Sequence, residues 1–187
     1  MAGHSVGAWI ALQVLKARPS DVSQVFMLCP TLSHIADTPN GRRLQWLFRT
    51  PFPKIISYLS YLTRPVPLSL FFPWPSPQTA VLRSLLNSPA SIFACLSMAH
   101  EEMITIRELD TALLDEHRPR IYLYFAEDDE WVSTHKASVV RCCEAIRVVN
   151  GEAGVPHAFC INHSAEVASQ CSLWLGLLAL QAQDTLR

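Results

Sequence analysis

Residues 1–20 read MAGHSVGAWIALQVLKARPS, and the segment from Gly3 to Ala17 decides the fold. From Gly7 to Ala17 small and apolar residues recur at helical spacing, and Pro19 stops the pattern. A helix therefore starts immediately after Ser5. The pentapeptide in front of it, GHSVG, matches G-x-S-x-G, in which a serine occupies a sharp strand-to-helix turn with strained backbone angles. Glycine is expected at Gly3 and Gly7 because a side chain at either would collide with the neighbouring strand and helix. Five residues alone are a weak signal; the helical pattern that follows at once gives them weight.

Further along, QVFMLCP (24–30) is a short apolar run closed by proline, as suits a buried parallel strand. Similar runs recur at IYLYF (121–125) and AIRVV (145–149), and Ser164 to Ala182 reads as an apolar helix containing Gly176. Between the first two runs, residues 39–118 hold most of the 13 prolines. Proline cuts this region into pieces expected to be short helices joined by turns, neither long helices nor central strands. An insertion of that length between sheet strands is either a lid or a structural excursion. The order of elements is that of an α/β protein with a parallel sheet, residues 1–187 forming one domain with the helical cap 39–118 inserted in it.

Composition narrows the function. The 187 residues are 50% hydrophobic and 17% charged, and 15 basic against 16 acidic residues leave a net charge of -1, so no basic field exists to gather nucleic acid. The six cysteines (Cys29, Cys95, Cys142, Cys143, Cys160, Cys171) form no C-x-x-C pair and read as reduced, mostly buried thiols. His34, His100, His135 and His163 lack the spacing of a metal template, so no metal site is expected. No glycine-rich phosphate loop suggests a nucleotide, and no cofactor is called for. LWLGLLAL is too short for a membrane span and the greasy stretch from Pro51 to Trp74 is broken by proline, so neither should cross a bilayer. Phe71, Phe72 and Trp74 either pack in the core or touch a lipid surface peripherally.

A serine hydroxyl is a poor nucleophile until a histidine takes its proton, and that histidine needs a carboxylate to fix its tautomer. In α/β-hydrolases these groups follow in the order serine, acid, histidine, each on a loop after a strand. IYLYFAEDDEWVS places Asp128 and Asp129 after one strand, and NGEAGVPHAF places His157 on a Gly- and Pro-containing loop after the next. Asp129 is preferred because it stands two before Trp131, whose ring could wall the site. His4 lines the elbow rather than acting as base, since its side chain diverges from that of Ser5 at the turn.

GHSVGAWIALQVLK, TPNGRRL, FAEDDEWV and GVPHAFCINHS together resemble the lipid droplet-associated hydrolase family, a branch of the α/β-hydrolases. The resemblance implies Ser5 as nucleophile, Asp129 as acid and His157 as base, with the Val6 backbone N–H in the oxyanion hole. It implies a serine esterase acting on neutral lipid esters, sterol esters or acylglycerols, at the droplet surface, with the cytoplasm or endoplasmic reticulum surface as its surroundings. The proline-broken insertion would then cover the site and touch the droplet monolayer.

Only Met1 and Ala2 precede Gly3, whereas members of that family carry a long part in front. Without it, Ser5 is expected to sit on a frayed end, the edge of QVFMLCP to stay unpaired, and one oxyanion donor to be missing. The expectation is a truncated form, weak or inactive in hydrolysis, with droplet binding as the alternative function.

Overall fold

Strands β1 (Ala2–His4), β2 (Val25–Leu28), β3 (Ile121–Phe125) and β4 (Arg147–Asn150) lie side by side in that order, every neighbouring pair parallel. The computed structural model describes residues 1–72, 76–132, 135–142 and 147–185. They divide into two bodies, Met1–Leu32 with Leu109–Arg187, and Ser33–Glu108.

Parallel neighbours need crossover connections. In the first body these are α1 (Val6–Ala17), which returns the chain from β1 to β2, and α7 (His135–Cys142), between β3 and β4; α6 (Thr111–Glu116) leads into β3 and α8 (Ser164–Thr185) follows β4. Side chains alternate across the sheet. Val25, Met27, Ile121 and Leu123 share a core with α1, α6 and α7, through Leu12, Leu114 and Val139. Phe26, Leu28, Tyr122 and Tyr124 face the opposite core, closed by Val167 and Trp174 of α8. Covered on both sides, β2 and β3 are buried at every residue, which is why their sequences are continuous apolar runs rather than alternating ones. At β4 the strand runs Arg147–Asn150, whereas Ala145 and Ile146 of the expected run lie outside the described residues.

The front of the chain differs from expectation. Ala2, Gly3 and His4 pair in register with Phe26, Met27 and Leu28, the Phe26 N–H donates to the Met1 carbonyl at 2.9 Å, and the Ser5 N–H donates to the Leu28 carbonyl at 3.0 Å. A three-residue strand thus leads into the elbow and pairs the edge of β2, so Ser5 is not frayed. Three residues are too few to show an alternation or an apolar run, so sequence pattern does not reveal this strand.

The second body is helical: α2 (Pro39–Leu44), α3 (Phe52–Leu59), α4 (Ser76–Leu86) and α5 (Pro89–Thr105), with 3-10 turns between α2 and α3 and between α3 and α4. The sequence reading excluded long helices here, yet α5 has 17 residues. Pro89 opens that helix, where the missing N–H costs nothing, and no proline follows before Thr105. Ser88 caps it by accepting from the Ser91 N–H at 3.3 Å, and Thr38 caps α2 by accepting from the Gly41 N–H at 3.1 Å. The body ends at Glu108, so α6 belongs with the sheet.

α3 and the turn after it are inverted in polarity. Ser57 and Ser60 are buried, while Ile55, Tyr58, Leu59 and Leu62 are 45%, 71%, 53% and 69% exposed. The buried hydroxyls are satisfied along the chain, Ser57 donating to the Lys54 carbonyl at 2.8 Å and Ser60 to the Ser57 carbonyl at 2.7 Å. Among the described residues no single helix is long and apolar enough to cross a membrane; Pro77–Leu86 and Pro89–Thr105 pass only as a pair bent by 90°.

Trp174 is 3% exposed and its ring centroid lies 5.1 Å from that of Phe26 and 5.2 Å from that of Tyr122. Trp174→Ala is expected to destabilise the sheet body by about 3–5 kcal/mol, read from the urea midpoint at unchanged slope. A loss below about 1 kcal/mol would mean that this indole is not what holds α8 to the sheet.

Candidate active site

Ser5 has φ 54 and ψ -123, in the positive-φ region that a residue with a side chain rarely enters. Such a conformation costs about 1–3 kcal/mol and persists only where neighbours hold it. The neighbours are the Leu28 carbonyl, which accepts the Ser5 N–H, and the Ala8 N–H, which donates to the Ser5 carbonyl at 3.0 Å. The turn is so tight that a Cβ on Gly3 would stand 2.2 Å from the Gly7 carbonyl oxygen. Gly7 itself does not obey the expected rule, since a Cβ there would meet no heavy atom within 4 Å. Its carbonyl, not its missing side chain, makes the close approach. Val6 opens α1 next to the serine, so its N–H is one of those a helix leaves without an intrahelical acceptor, at the positive end of the dipole.

The acidic turn after β3 separates its members by burial. Asp128 is exposed, whereas Asp129 is 7% exposed. The Trp131 N–H donates to Asp129 Oδ1 at 2.9 Å, a short-range bond from residue i+2 that fixes the carboxylate. The tryptophan two positions on therefore acts first through its backbone; its ring centroid lies 6.4 Å from that of His157.

His157 comes from the loop after β4, where Gly154 takes φ 87, a left-handed turn that suits glycine. Its Nδ1 lies 2.7 Å from Asp129 Oδ2 and its Nε2 lies 2.9 Å from Ser5 Oγ. Residues 28 and 152 positions apart from the histidine are thus joined in one line. With the carboxylate beside Nδ1, the imidazole keeps its proton there and presents a lone pair at Nε2 to the serine hydroxyl. The arrangement can remove a proton from Ser5, hold the resulting imidazolium against a buried carboxylate, and return the proton to a leaving group.

Three neighbours surround the relay, of which the sequence marks only His4, as lining the elbow. His4 Nε2 lies 2.8 Å from the His157 carbonyl oxygen, and its ring meets that of Phe159 edge-on at 4.7 Å, so it props the loop that carries His157. Burial holds the His4 imidazole below its ordinary pKa, with the His157 carbonyl opposing that trend. Thr31, 3% exposed, lies with its N–H 3.5 Å from the Ser5 carbonyl oxygen, and its hydroxyl has no hydrogen-bond partner among the described residues. Cys29, with φ 45, directly follows β2 and is fully buried, and burial pushes its thiol up to about 12. The other described thiols do not match the expectation of buried cysteines, for Cys95 and Cys160 are exposed and Cys171 is half-buried. No spacing rule unites Cys29 with Asp129 and His157, yet one ligating atom from each lies within 4.8 Å of the others.

The parallel sheet, the serine on a strand-to-helix turn, and the later loops that meet it define an α/β-hydrolase fold. Solved structures agree: an archaeal structure described under carboxylesterases of Nitrososphaera gargenis superposes with a TM-score of 0.66 at 17% identity, over 98% of this chain and 65% of the other. A hydrolase from Oleispira antarctica does so at 0.60 and 14%, over 94% and 64%. The chain belongs to the lipid-droplet associated hydrolase family, whose model matches residues 1–160. It is 26% identical to the lipid droplet-associated hydrolase of Mus musculus over 94% of this chain and 27% identical to that of Homo sapiens over 90%. The chain spans just over half the length of these relatives, 56% and 54%.

Two outcomes are expected here. Because the fold favours neutral His4, the unfolded chain gains a proton as pH falls through about 6.5 while the folded chain resists it, so the stability present above that pH is lost toward the lowered value. Thermal melts should show wild type losing more stability than His4→Gln between about pH 7.5 and pH 5; equal slopes would assign the sensitivity to other groups. Thr31→Val replaces an unpaired buried hydroxyl with a methyl group and should leave stability unchanged or raise it by about 1 kcal/mol. A loss of similar size would show that the hydroxyl has a partner.

Proposed function

We propose that Ser5, His157 and Asp129 serve as nucleophile, general base and acid of a serine hydrolase that cleaves ester bonds of neutral lipids. The observation that carries this reading is the continuous relay from Ser5 Oγ to His157 Nε2 at 2.9 Å and from His157 Nδ1 to Asp129 Oδ2 at 2.7 Å. Ser5 Oγ attacks the ester carbonyl as its proton passes to His157 Nε2, and the Asp129 carboxylate offsets the charge that forms on the ring. The tetrahedral oxyanion is met by the Val6 N–H, where the dipole of α1 adds to the donor. Nε2 then protonates the departing alcohol, and water, activated by the same nitrogen, releases the acid. Only water is needed as second substrate.

Neutral lipid as the substrate class, sterol ester or acylglycerol, and the droplet as the place of action rest on family membership and on the relatives' names. On this reading the helical body, inserted in the chain between β2 and β3, has the length that lids occupy. A fluorophosphonate probe should label the purified chain covalently at Ser5, and Ser5→Ala should abolish labelling. Asp129→Asn should cut ester turnover by about 10⁴-fold, since the imidazole then holds the wrong tautomer. Absence of labelling in a folded chain would sink the hydrolase reading.

The inverted polarity of α3 favours a second property, peripheral attachment to a lipid surface. Tyr58, Leu59 and Leu62 face outward together, and Leu70 and Phe71 are 77% and 68% exposed. Phe72 is less so, at 36%, and Trp74 lies outside the described residues. Binding to phospholipid-coated triolein droplets should survive Ser5→Ala and fall at least about tenfold when Tyr58, Leu59, Leu62 and Phe71 become serine. Equal binding of the two variants would confine these side chains to protein contacts.

A further inference from the structure

We infer that Cys29, Asp129 and His157 form an inhibitory binding site for a soft divalent cation such as zinc, a property beyond the ester hydrolysis proposed above that rests on that reading only for its consequence. A thiol sulfur, a carboxylate oxygen and an imidazole nitrogen within 4.8 Å of one another are a donor set that zinc and its heavier congeners accept. All three are held in place: Cys29 by its N–H donating to the Tyr124 carbonyl at 2.7 Å, Asp129 by the Trp131 N–H, and His157 by the loop propped on His4. Zinc needs about 2.3 Å to sulfur and about 2.0 Å to nitrogen, so donors at the outer separation close in by roughly 1 Å. That is a loop adjustment, because two of the three donors come from the turns after β3 and β4.

The chemistry balances with one proton released. The cation takes the Cys29 sulfur as thiolate, and the thiol proton goes to solvent. It takes His157 through Nδ1, the nitrogen that meets Asp129, and the imidazole proton moves from Nδ1 to Nε2. Nε2 then carries hydrogen where the serine hydroxyl needs a lone pair, and Ser5 can no longer lose its proton. Binding therefore silences the relay without touching the serine. Cys29 has no part in the hydrolytic steps, and this is the role its burial beside the acid allows.

The test titrates the folded chain, in a thiol-free reductant, with Co²⁺ and then Zn²⁺. One equivalent of cobalt should raise a near-ultraviolet thiolate-to-cobalt charge-transfer band that zinc chases away. The band should vanish in Cys29→Ala and remain in Cys95→Ser and Cys160→Ser. Should Cys29→Ala fail to fold, His157→Gln must weaken cobalt binding at least tenfold. Zinc should suppress fluorophosphonate labelling of Ser5 at least tenfold in wild type. No band in the folded chain, or a band that survives Cys29→Ala and so belongs to another cysteine, overturns the inference. A band without any metal-free labelling of Ser5 would instead sink the hydrolase reading and leave the cation site standing.

Discussion

The hydrogen bond from the Ser5 N–H to the Leu28 carbonyl, 3.0 Å long, joins the end of β1 to the end of β2 and sets the point at which the backbone turns from strand to helix. Strained φ and ψ at Ser5 are tolerable because this bond, the β1–β2 ladder and the start of α1 fix the residue from three sides. The close approach of Gly3 to the Gly7 carbonyl follows from the same geometry. Once the turn is set, Oγ can only project above the strand ends, where loops from β3 and β4 arrive.

Those loops are held by the sheet in turn. β3 is buried at every residue, and the alternation of its side chains between the α1 side and the α8 side leaves no freedom of register, since a slip by one would exchange Tyr122 and Tyr124 with Leu123 and Phe125. The end of β3 therefore delivers Asp129 to one place. β4 is paired through four residues with β3, and its loop brings His157 to the carboxylate. The geometry that joins Ser5, His157 and Asp129 is a consequence of strand register together with one backbone bond from Trp131.

The helical body follows a different economy. Pro53 and Ser57 of α3 and Ser60 just after it are buried while Tyr58, Leu59 and Leu62 are exposed, so the polarity of this segment opposes that of an ordinary amphipathic surface helix. The hydroxyls bond back to carbonyls three residues earlier and need no partner from another element.

Local chemistry was enough to determine much from the sequence alone. GHSVG followed at once by helical periodicity located the elbow, IYLYF and QVFMLCP declared themselves as doubly covered strands, and the order of serine, acid and histidine followed from the loops that end those strands. These features depend on residues within a few positions of one another. What required the tertiary structure were relations between distant positions: the pairing of Ala2–His4 with β2, the meeting of Asp129 with His157, the prop that His4 sets under His157, and the placing of Cys29 beside Asp129 and His157. The 17-residue α5 also escaped, because a proline reads locally as a breaker and only the chain's path shows that Pro89 stands at a helix start. Periodicity reports the environment of a segment, whereas a site made from residues 152 positions apart exists only when the sheet has fixed their separation.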